Sequence, residues 1–395
     1  MSIVKNLDNF KFKCTGCNCC KEICPKKAIK FESNKEGFLE YKIDKEKCIN
    51  CGLCIKKCPQ LNEIKKENFN TEYYAAHSKS EEVILKSTSG GMFTILANAI
   101  AQANEYAIFG CFFDEKMVAK HGYVNDIKDL DKFKGSKYIQ SDTQNIFQKV
   151  KEQLEEGKVV LFTGTPCQIA GLRKFLENKN YDNLYTIDII CHGVPSPLLF
   201  KKYKEYLEQK NNAKLIKYEF RNKSKKTWEL CYYYYFDNGK HKSNVCSMDS
   251  YYSNFIDGTT YRECCYECKY AKKDRISDIT IGDFWGIQNE HPNNYNKYGN
   301  SAIIVNTKKG KELFEKIKND INFEKSSFEK ISKYNKNLKQ PTVRKNIRDN
   351  IYNEIKEKNY EQIVKENMKF KISAITIIKA YFPRKLKDTI KKILK

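Results

Sequence analysis

The sequence predicts an α+β protein in three parts: a small cysteine-rich repeat module, a mixed α/β core domain and a basic helical tail. Three observations point to this division. One cysteine spacing occurs twice before residue 65. From about residue 72, strand-like apolar runs alternate with loop and helix patterns. From about residue 336 the chain becomes lysine-rich with helical periodicity. The parts read as 1–65, 72–335 and 336–395.

Residues 1–65 contain the repeat. Cys14, Cys17, Cys20 and Cys24-Pro25 follow C-x2-C-x2-C-x3-C-P, and Cys48, Cys51, Cys54 and Cys58-Pro59 follow it again 34 residues later. Between them AIKFESNKEGFLEYKID reads as strand, turn and strand with Gly37 at the turn. In this spacing three close cysteines hold three irons of one 4Fe-4S cube, and the fourth reaches the other cube. The expected ligand sets are therefore Cys14, Cys17, Cys20 and Cys58 for one cluster, and Cys48, Cys51, Cys54 and Cys24 for the other. The module is thus ferredoxin-like and dicluster. Zinc is a poor rival, because a zinc site closes with four ligands, usually from two C-x2-C pairs. Cys19 stands outside the repeat.

Composition supports that chemistry. The chain has 395 residues, 41% hydrophobic and 31% charged, which is enough apolar material for a core and more length than one core usually serves. Seventeen cysteines in a chain this long do not suit a small secreted disulfide scaffold. The start MSIVKNLDNF carries one lysine and no apolar run. The expectation is a cytoplasmic chain whose thiols stay reduced and serve as ligands. No segment reaches the roughly 20 apolar residues of a membrane span. The formal charge of +23 overstates the true value, since ligated cysteines are counted as neutral. No helix-turn-helix, zinc-finger or RNA-binding signature accompanies it, so nucleic acid is not an expected partner.

In the core, LNEIKKENFNT (61–71) reads as a linker and residues 73–76 as a strand. KSTSGGMFTILANAIAQA enters a helix. KVVLF and LYTIDII are apolar strands followed by TGTPC and CHGVPS loops and then helices, which implies parallel β-α-β units. ELCYYYYF and KHKSNVCSM around Asp237-Asn238-Gly239 read as a hairpin, and DITIGDFWGI as a last strand. Cys167 and Cys191 follow two of these strands, at the edge where open α/β sheets bind ligands. With Cys265 and Cys268 they could close a third 4Fe-4S site. Spacing alone also allows Cys167 and Cys191 to be small buried hydrophobes, Cys265 and Cys268 to be a redox dithiol, or Cys264 to replace a neighbour. Cys111, Cys231 and Cys246 show no ligand spacing.

The segments STSGGMFT (87–94), GSKYIQS (135–141), TGTPCQIAGL (163–172), DIICHGVPSP (188–197), FRNKSKKTW (220–228), CYEC (265–268) and RISDITIGDFWG (275–286) resemble the beta-subunit family of coenzyme F-420 hydrogenases and dehydrogenases. The resemblance implies FAD and favours the third cluster on Cys167, Cys191, Cys265 and Cys268. Within the resembling segments, Ser87, Thr88, Ser89, Gly90 and Gly91, and Thr163, Gly164 and Thr165, form small-residue loops before helices, suited to a phosphate or to ordinary capping. Lys137, Arg221, Lys223 and Arg275 are cations that could pair with phosphate or flavin. His192 and Trp285 are weaker candidates. A flavin fits between a two-electron hydride carrier and one-electron clusters. The expected function is a flavo-iron–sulfur oxidoreductase that exchanges electrons between an anionic hydride carrier and a redox partner such as a ferredoxin, hydrogenase or reductase subunit. No side chain is expected as acid or base. The alternatives are an electron-transfer subunit without its own hydride site, or a reductase of surface-polysaccharide synthesis. The end KAYFPRKLKDTIKKILK has apolar residues at helical spacing and could touch an anionic membrane surface, though packing on the core or a partner is the plainer expectation.

Overall fold

The computed structural model describes residues 7–380, apart from 8, 9, 11, 12, 225, 226, 369, 374, 375, 378 and 379. Its strands in chain order are β1 (Ile29–Ser33), β2 (Leu39–Ile43), β3 (Glu72–Ser78), β4 (Tyr106–Phe113), β5 (Ala119–Val124), β6 (Val159–Gly164), β7 (Leu184–Ile189), β8 (Leu215–Glu219), β9 (Cys231–Phe236), β10 (His241–Val245), β11 (Ile279–Asp283), β12 (Ser301–Val305) and β13 (Ile321–Lys325).

β1 and β2 form the antiparallel hairpin of the cysteine-rich module. Its turn forms because Asn34 Oδ1 accepts the Glu36 and Phe38 amides at 3.0 Å and Gly37 takes a positive φ. Eight strands build the core sheet in the order β13-β3-β12-β11-β7-β6-β4-β5. β4, β6, β7 and β11 run parallel, and antiparallel strands flank them on both sides. The continuous apolar runs of β6 and β7 suit this centre, because helices cover both faces. The helices Met92–Ile100 and Lys308–Ile317 pack on one face, and Ile146–Glu155 and Pro166–Phe175 on the other.

The sheet β8-β9-β10 carries the Tyr-rich run and packs against the helix Pro197–Asn211 in a second, aromatic core. Its β9–β10 hairpin turns at Gly239, as the Asn-Gly signal predicts. The start of the predicted tail joins this same core: Ile351, Tyr352, Ile355, Tyr360 and Ile363 are buried there. Arg348, buried at 1%, pairs with Glu36 of the module's hairpin through two bonds of 3.0 and 2.6 Å. Of KAYFPRKLKDTIKKILK, all but Ala380 lies outside the described residues. Among the described residues no helix is long and apolar enough to cross a membrane.

Candidate functional site

The two cysteine runs fold alike because the same backbone devices recur. Gly16 and Asn18 in the first loop and Asn50 and Gly52 in the second all take left-handed φ, between 53° and 73°. Glycine and asparagine tolerate that conformation best. Each loop then enters one helical turn, Cys19–Glu22 or Leu53–Lys56. The loops coil tightly, and Cys24 and Cys58 leave them to cross to the opposite loop. Cys14, Cys17, Cys20 and Cys58 line one cavity, and Cys24, Cys48, Cys51 and Cys54 line another. Cys58 thus lines the cavity of the first loop, and Cys24 that of the second.

Backbone amides face the sulfurs: Gly16 N donates to Cys14 Sγ at 3.4 Å and Ala28 N to Cys24 Sγ at 3.3 Å. The two cages differ in exposure. Burial pushes up the Cys14, Cys17 and Cys20 thiols, and neighbouring cysteines add to the effect at Cys17 and Cys20. Cys51 in the other cage is exposed. Among the described residues no three His, Cys, Asp or Glu side chains converge as on a single ion; the thiols instead surround a gap. Cys19 is buried, bonds the Lys57 carbonyl at 3.6 Å and lines neither cage.

A third cavity, of about 330 Å³, opens at the carboxyl edge of β6, β7 and β11. Ligand pockets start at about this volume. Ser87, Thr88, Ser89, Gly91, Lys137, Thr163, Gly164, Thr165 and Arg275 line it, together with Cys167, Cys191, Cys265 and Cys268. His192, Trp285, Cys111 and Cys264 line it as well. Burial raises the Cys167 thiol to about 12, and burial with Cys167 and Cys268 nearby pushes Cys191 up. Cys264 donates to the Cys14 carbonyl at 3.1 Å, a contact from the core to the first cysteine loop.

Several candidates have internal duties. Gly90 does not line the cavity; an added Cβ would meet the Ala76 carbonyl at 2.7 Å, so β3 requires its close approach. Lys137 spends its ammonium on the carbonyls of Lys132, Phe133 and Lys134 at 3.3, 3.1 and 2.8 Å. Burial lowers its pKa to about 8. Arg275, 3% exposed, pairs with buried Asp188 at 3.1 Å and bonds the Tyr270 and Ile189 carbonyls. Arg221 grips Asp283 with bonds of 2.7 and 3.0 Å, and Asp283 also accepts Trp228 Nε1 at 2.8 Å. Trp228 stacks on Trp285 at 4.9 Å. Lys223 bonds the Ile84 and Ser89 carbonyls, and burial lowers its pKa to about 7.

Other residues escape sequence reasoning. His121 is buried on the cavity wall with neither ring nitrogen partnered, and burial lowers its pKa to about 4. Thr163 Oγ1 is likewise buried and unpartnered. Gln168 accepts the Thr165 amide at 2.9 Å and donates to Ser141 at 2.9 Å, which holds the Thr163–Thr165 turn. Thr15 and Gln60 line both this cavity and the first cage, so the two adjoin. Arg262 lies at that seam, 4% exposed, donating to the carbonyls of Cys14 at 2.7 Å and Leu39 at 2.8 Å. Gly171 lets the helix Pro166–Phe175 close on the module; a Cβ there would sit 3.0 Å from Cys17 Cβ.

Residues 157–331 match the family model for the C-terminal region of the beta subunit of coenzyme F420 hydrogenase/dehydrogenase. Residues 13–62 and 40–91 match two models of 4Fe-4S dicluster domains. The matches place a region similar to this beta-subunit domain behind a region similar to 4Fe-4S dicluster domains. The region similar to the beta-subunit domain holds β6 to β13 and with them Cys167, Cys191, Cys265 and Cys268. Among curated relatives, an uncharacterised protein of Methanocaldococcus jannaschii is 25% identical over 214 residues, covering 46% of this chain and 59% of its own length. The coenzyme F420-dependent sulfite reductase of the same organism is 26% identical over 192 residues, covering 47% of this chain and 28% of its own. The chain thus spans less than two thirds of either relative. The module is similar to NADH-quinone oxidoreductase subunit I 2 of Geobacter metallireducens, 33% identical over 79 residues, covering 19% of this chain and 57% of that one. A chain of the F420-reducing [NiFe] hydrogenase complex from Methanosarcina barkeri is similar with a TM-score of 0.44 and 18% identity, over 78% of this chain and 97% of that one.

Proposed function

We propose that the chain is a flavo-iron–sulfur oxidoreductase that moves electrons between a hydride carrier, coenzyme F420 or one like it, and a partner protein. One observation carries this reading. The cavity at the carboxyl edge of the sheet gathers Cys167, Cys191, Cys265 and Cys268 beside the 87–91 and 163–165 loops, and adjoins the cage of Cys14, Cys17, Cys20 and Cys58. In this reading the three cysteine sets hold three 4Fe-4S clusters, and FAD occupies the rest of the cavity.

The donor set fits a flavin dinucleotide. Ser87, Thr88 and Ser89 stand before the helix Met92–Ile100, whose N-terminus suits a phosphate, whereas at the start of Pro166–Phe175 the Thr165 amide is taken by Gln168. Thr163 Oγ1 and the His121 ring are buried polar groups still open to a partner. Trp285, braced by Trp228, forms an aromatic wall. Bound FAD supplies the exchange between hydride on one side and single electrons on the other. The protein's part is to orient the carrier, exclude water and keep the cysteine thiolates paired with iron. No acid or base is assigned.

A second reading keeps the clusters but gives the chain no hydride site of its own. Lys137, Arg221, Lys223 and Arg275 are all engaged by internal carbonyls or carboxylates, which reduces the cations left for an anionic carrier. Purification without oxygen followed by iron, sulfide and flavin analysis tests both readings. Three clusters give about twelve irons and two give about eight. Absence of flavin removes the oxidoreductase reading. Bleaching of the purified chain by a reduced deazaflavin or nicotinamide separates the first reading from the second.

A further inference from the structure

The two cages of the module sit differently with respect to the core. The cage of Cys14, Cys17, Cys20 and Cys58 shares Thr15 and Gln60 with the core cavity. The cage of Cys24, Cys48, Cys51 and Cys54 shares no lining residue with that cavity, and its Cys51 is exposed. It is therefore the outer end of the series.

The surface around this outer cage has a definite character. Ile49, next to Cys48 and on the cage wall, is 58% exposed, and Pro25 beside it in the lining is exposed too. Lys26, Lys27, Lys45, Lys47 and Lys56 are all exposed, each within three residues of a cage cysteine. Against them stand exposed Glu46 and half-buried Asp44, and Asp44 is taken by Lys47 at 3.2 Å. Exposed apolar residues on the cage wall, with exposed lysines within a few residues along the chain, have the make-up of a transient protein interface steered by charge.

We propose that this face, Ile49 and Pro25 with Lys26, Lys27, Lys45 and Lys56, docks a small acidic one-electron carrier protein. The proposal rests on the cluster reading above and names the partner's chemistry. Charge complementarity selects the occupant: an acidic carrier is drawn to these lysines and a basic one repelled, at rates and affinities that fall with salt. Each encounter moves one electron, so what one protein loses the other gains, and the relative potentials set the direction.

The chain is basic throughout, so the test must separate these lysines from the general charge. The iron-loaded full-length protein, prepared without oxygen, is titrated with an acidic bacterial ferredoxin and with basic cytochrome c at several salt concentrations. The triple variant K26E/K27E/K45E is compared with K210E/K214E/K316E, which changes net charge equally at exposed lysines outside the module. The expected result is ferredoxin binding that weakens with salt, is lost at least tenfold in the first triple, and is unchanged in the second, with iron content equal in all three proteins. Equal weakening in both triples, no weakening in the first, or tighter binding of cytochrome c overturns the proposal. So does retention of the first face by anionic phosphatidylglycerol vesicles in preference to ferredoxin. A wild-type chain without iron overturns the cluster reading itself, whereas an iron-loaded chain that ignores ferredoxin overturns only the docking face.

Discussion

Arg262→Gln tests whether the seam between module and core is held by one side chain. The guanidinium donates to the carbonyls of Cys14 and Leu39, both in the module, from a segment of the core. Hydrogen bonds from a charged donor contribute about 1.5–3 kcal/mol each. Neither carbonyl is orphaned by the substitution, because Cys264 Sγ also reaches Cys14 O at 3.1 Å and Gln140 Nε2 reaches Leu39 O at 3.2 Å. The lower end applies to both bonds, for a total of about 3 kcal/mol. At about 1.4 kcal/mol per tenfold, that raises the population with the module released by roughly a hundredfold. Hydrogen exchange on the oxygen-free protein reads this locally. Amides of β1, β2 and the first cysteine loop should lose about two orders of magnitude of protection, while β6 and β7 keep theirs. Arg262→Lys keeps the charge but not the fork, so it should fall between. If Arg262→Gln exchanges at the wild-type rate with its iron intact, the seam does not depend on this arginine.

Cys58→Ser should remove the inner cluster of the module and spare the outer one, and Cys24→Ser the reverse; paramagnetic resonance on each reduced variant distinguishes this from loss of the cluster nearest in sequence. His121 has a folded pKa of about 4 against 6.5 for the free side chain, because burial disfavours its charged form. The stability from its neutral burial is therefore present above about pH 6.5 and lost as pH falls through about 4. His121→Phe should flatten that part of a thermal-denaturation pH profile, and an unchanged profile refutes the assignment. Arg348→Ala strips Glu36 and the Tyr261 carbonyl of a partner buried at 1%. Breaking such a pair costs about 3–5 kcal/mol, nearer 3 because Glu36 retains some access to water. A drop in melting temperature of several degrees is expected, and none would show that the 336–368 segment is not held by this contact.

The parts of this protein legible in its sequence are those governed by local physics. The Gly37 turn, the Asn238-Gly239 hairpin and the unbroken apolar runs of β6 and β7 each act within a few residues. Each appears in the structure where the sequence places it. The gathering of Cys167 and Cys191 at one edge also follows locally, since both end parallel strands of one sheet. What stays hidden is decided by chain segments that meet from afar. Gly90 reads as a phosphate loop residue, but its neighbours are β3 and Ser301, 211 positions away. Lys137 and Arg275 read as cations for phosphate or flavin, or as solvated or structural ones, and nothing in a linear motif shows a carbonyl cage or a buried aspartate. The basic run after residue 336 reads as a tail because its pairing with Glu36 spans 312 positions.

Arg262 is the sharpest case, and it shows why the seam had to be hidden. Its partner Cys14 is 248 positions away. An arginine before two cysteines has no local signal that distinguishes it from any other surface cation in a chain of 72 lysines and arginines. Yet burying that cation costs energy unless carbonyls meet it, and the carbonyls that do are those of the inner cysteine loop and the adjoining hairpin strand. The same side chain therefore joins the core to the first cage, alongside contacts such as Gln140 to Leu39 and Asn18 to Gln144. Local sequence builds each cysteine cage, and a few long-range polar contacts set the spacing between cages. Under the proposed function electron transfer depends on both, so substitutions at the seam are expected to slow transfer between module and core while the module keeps its iron.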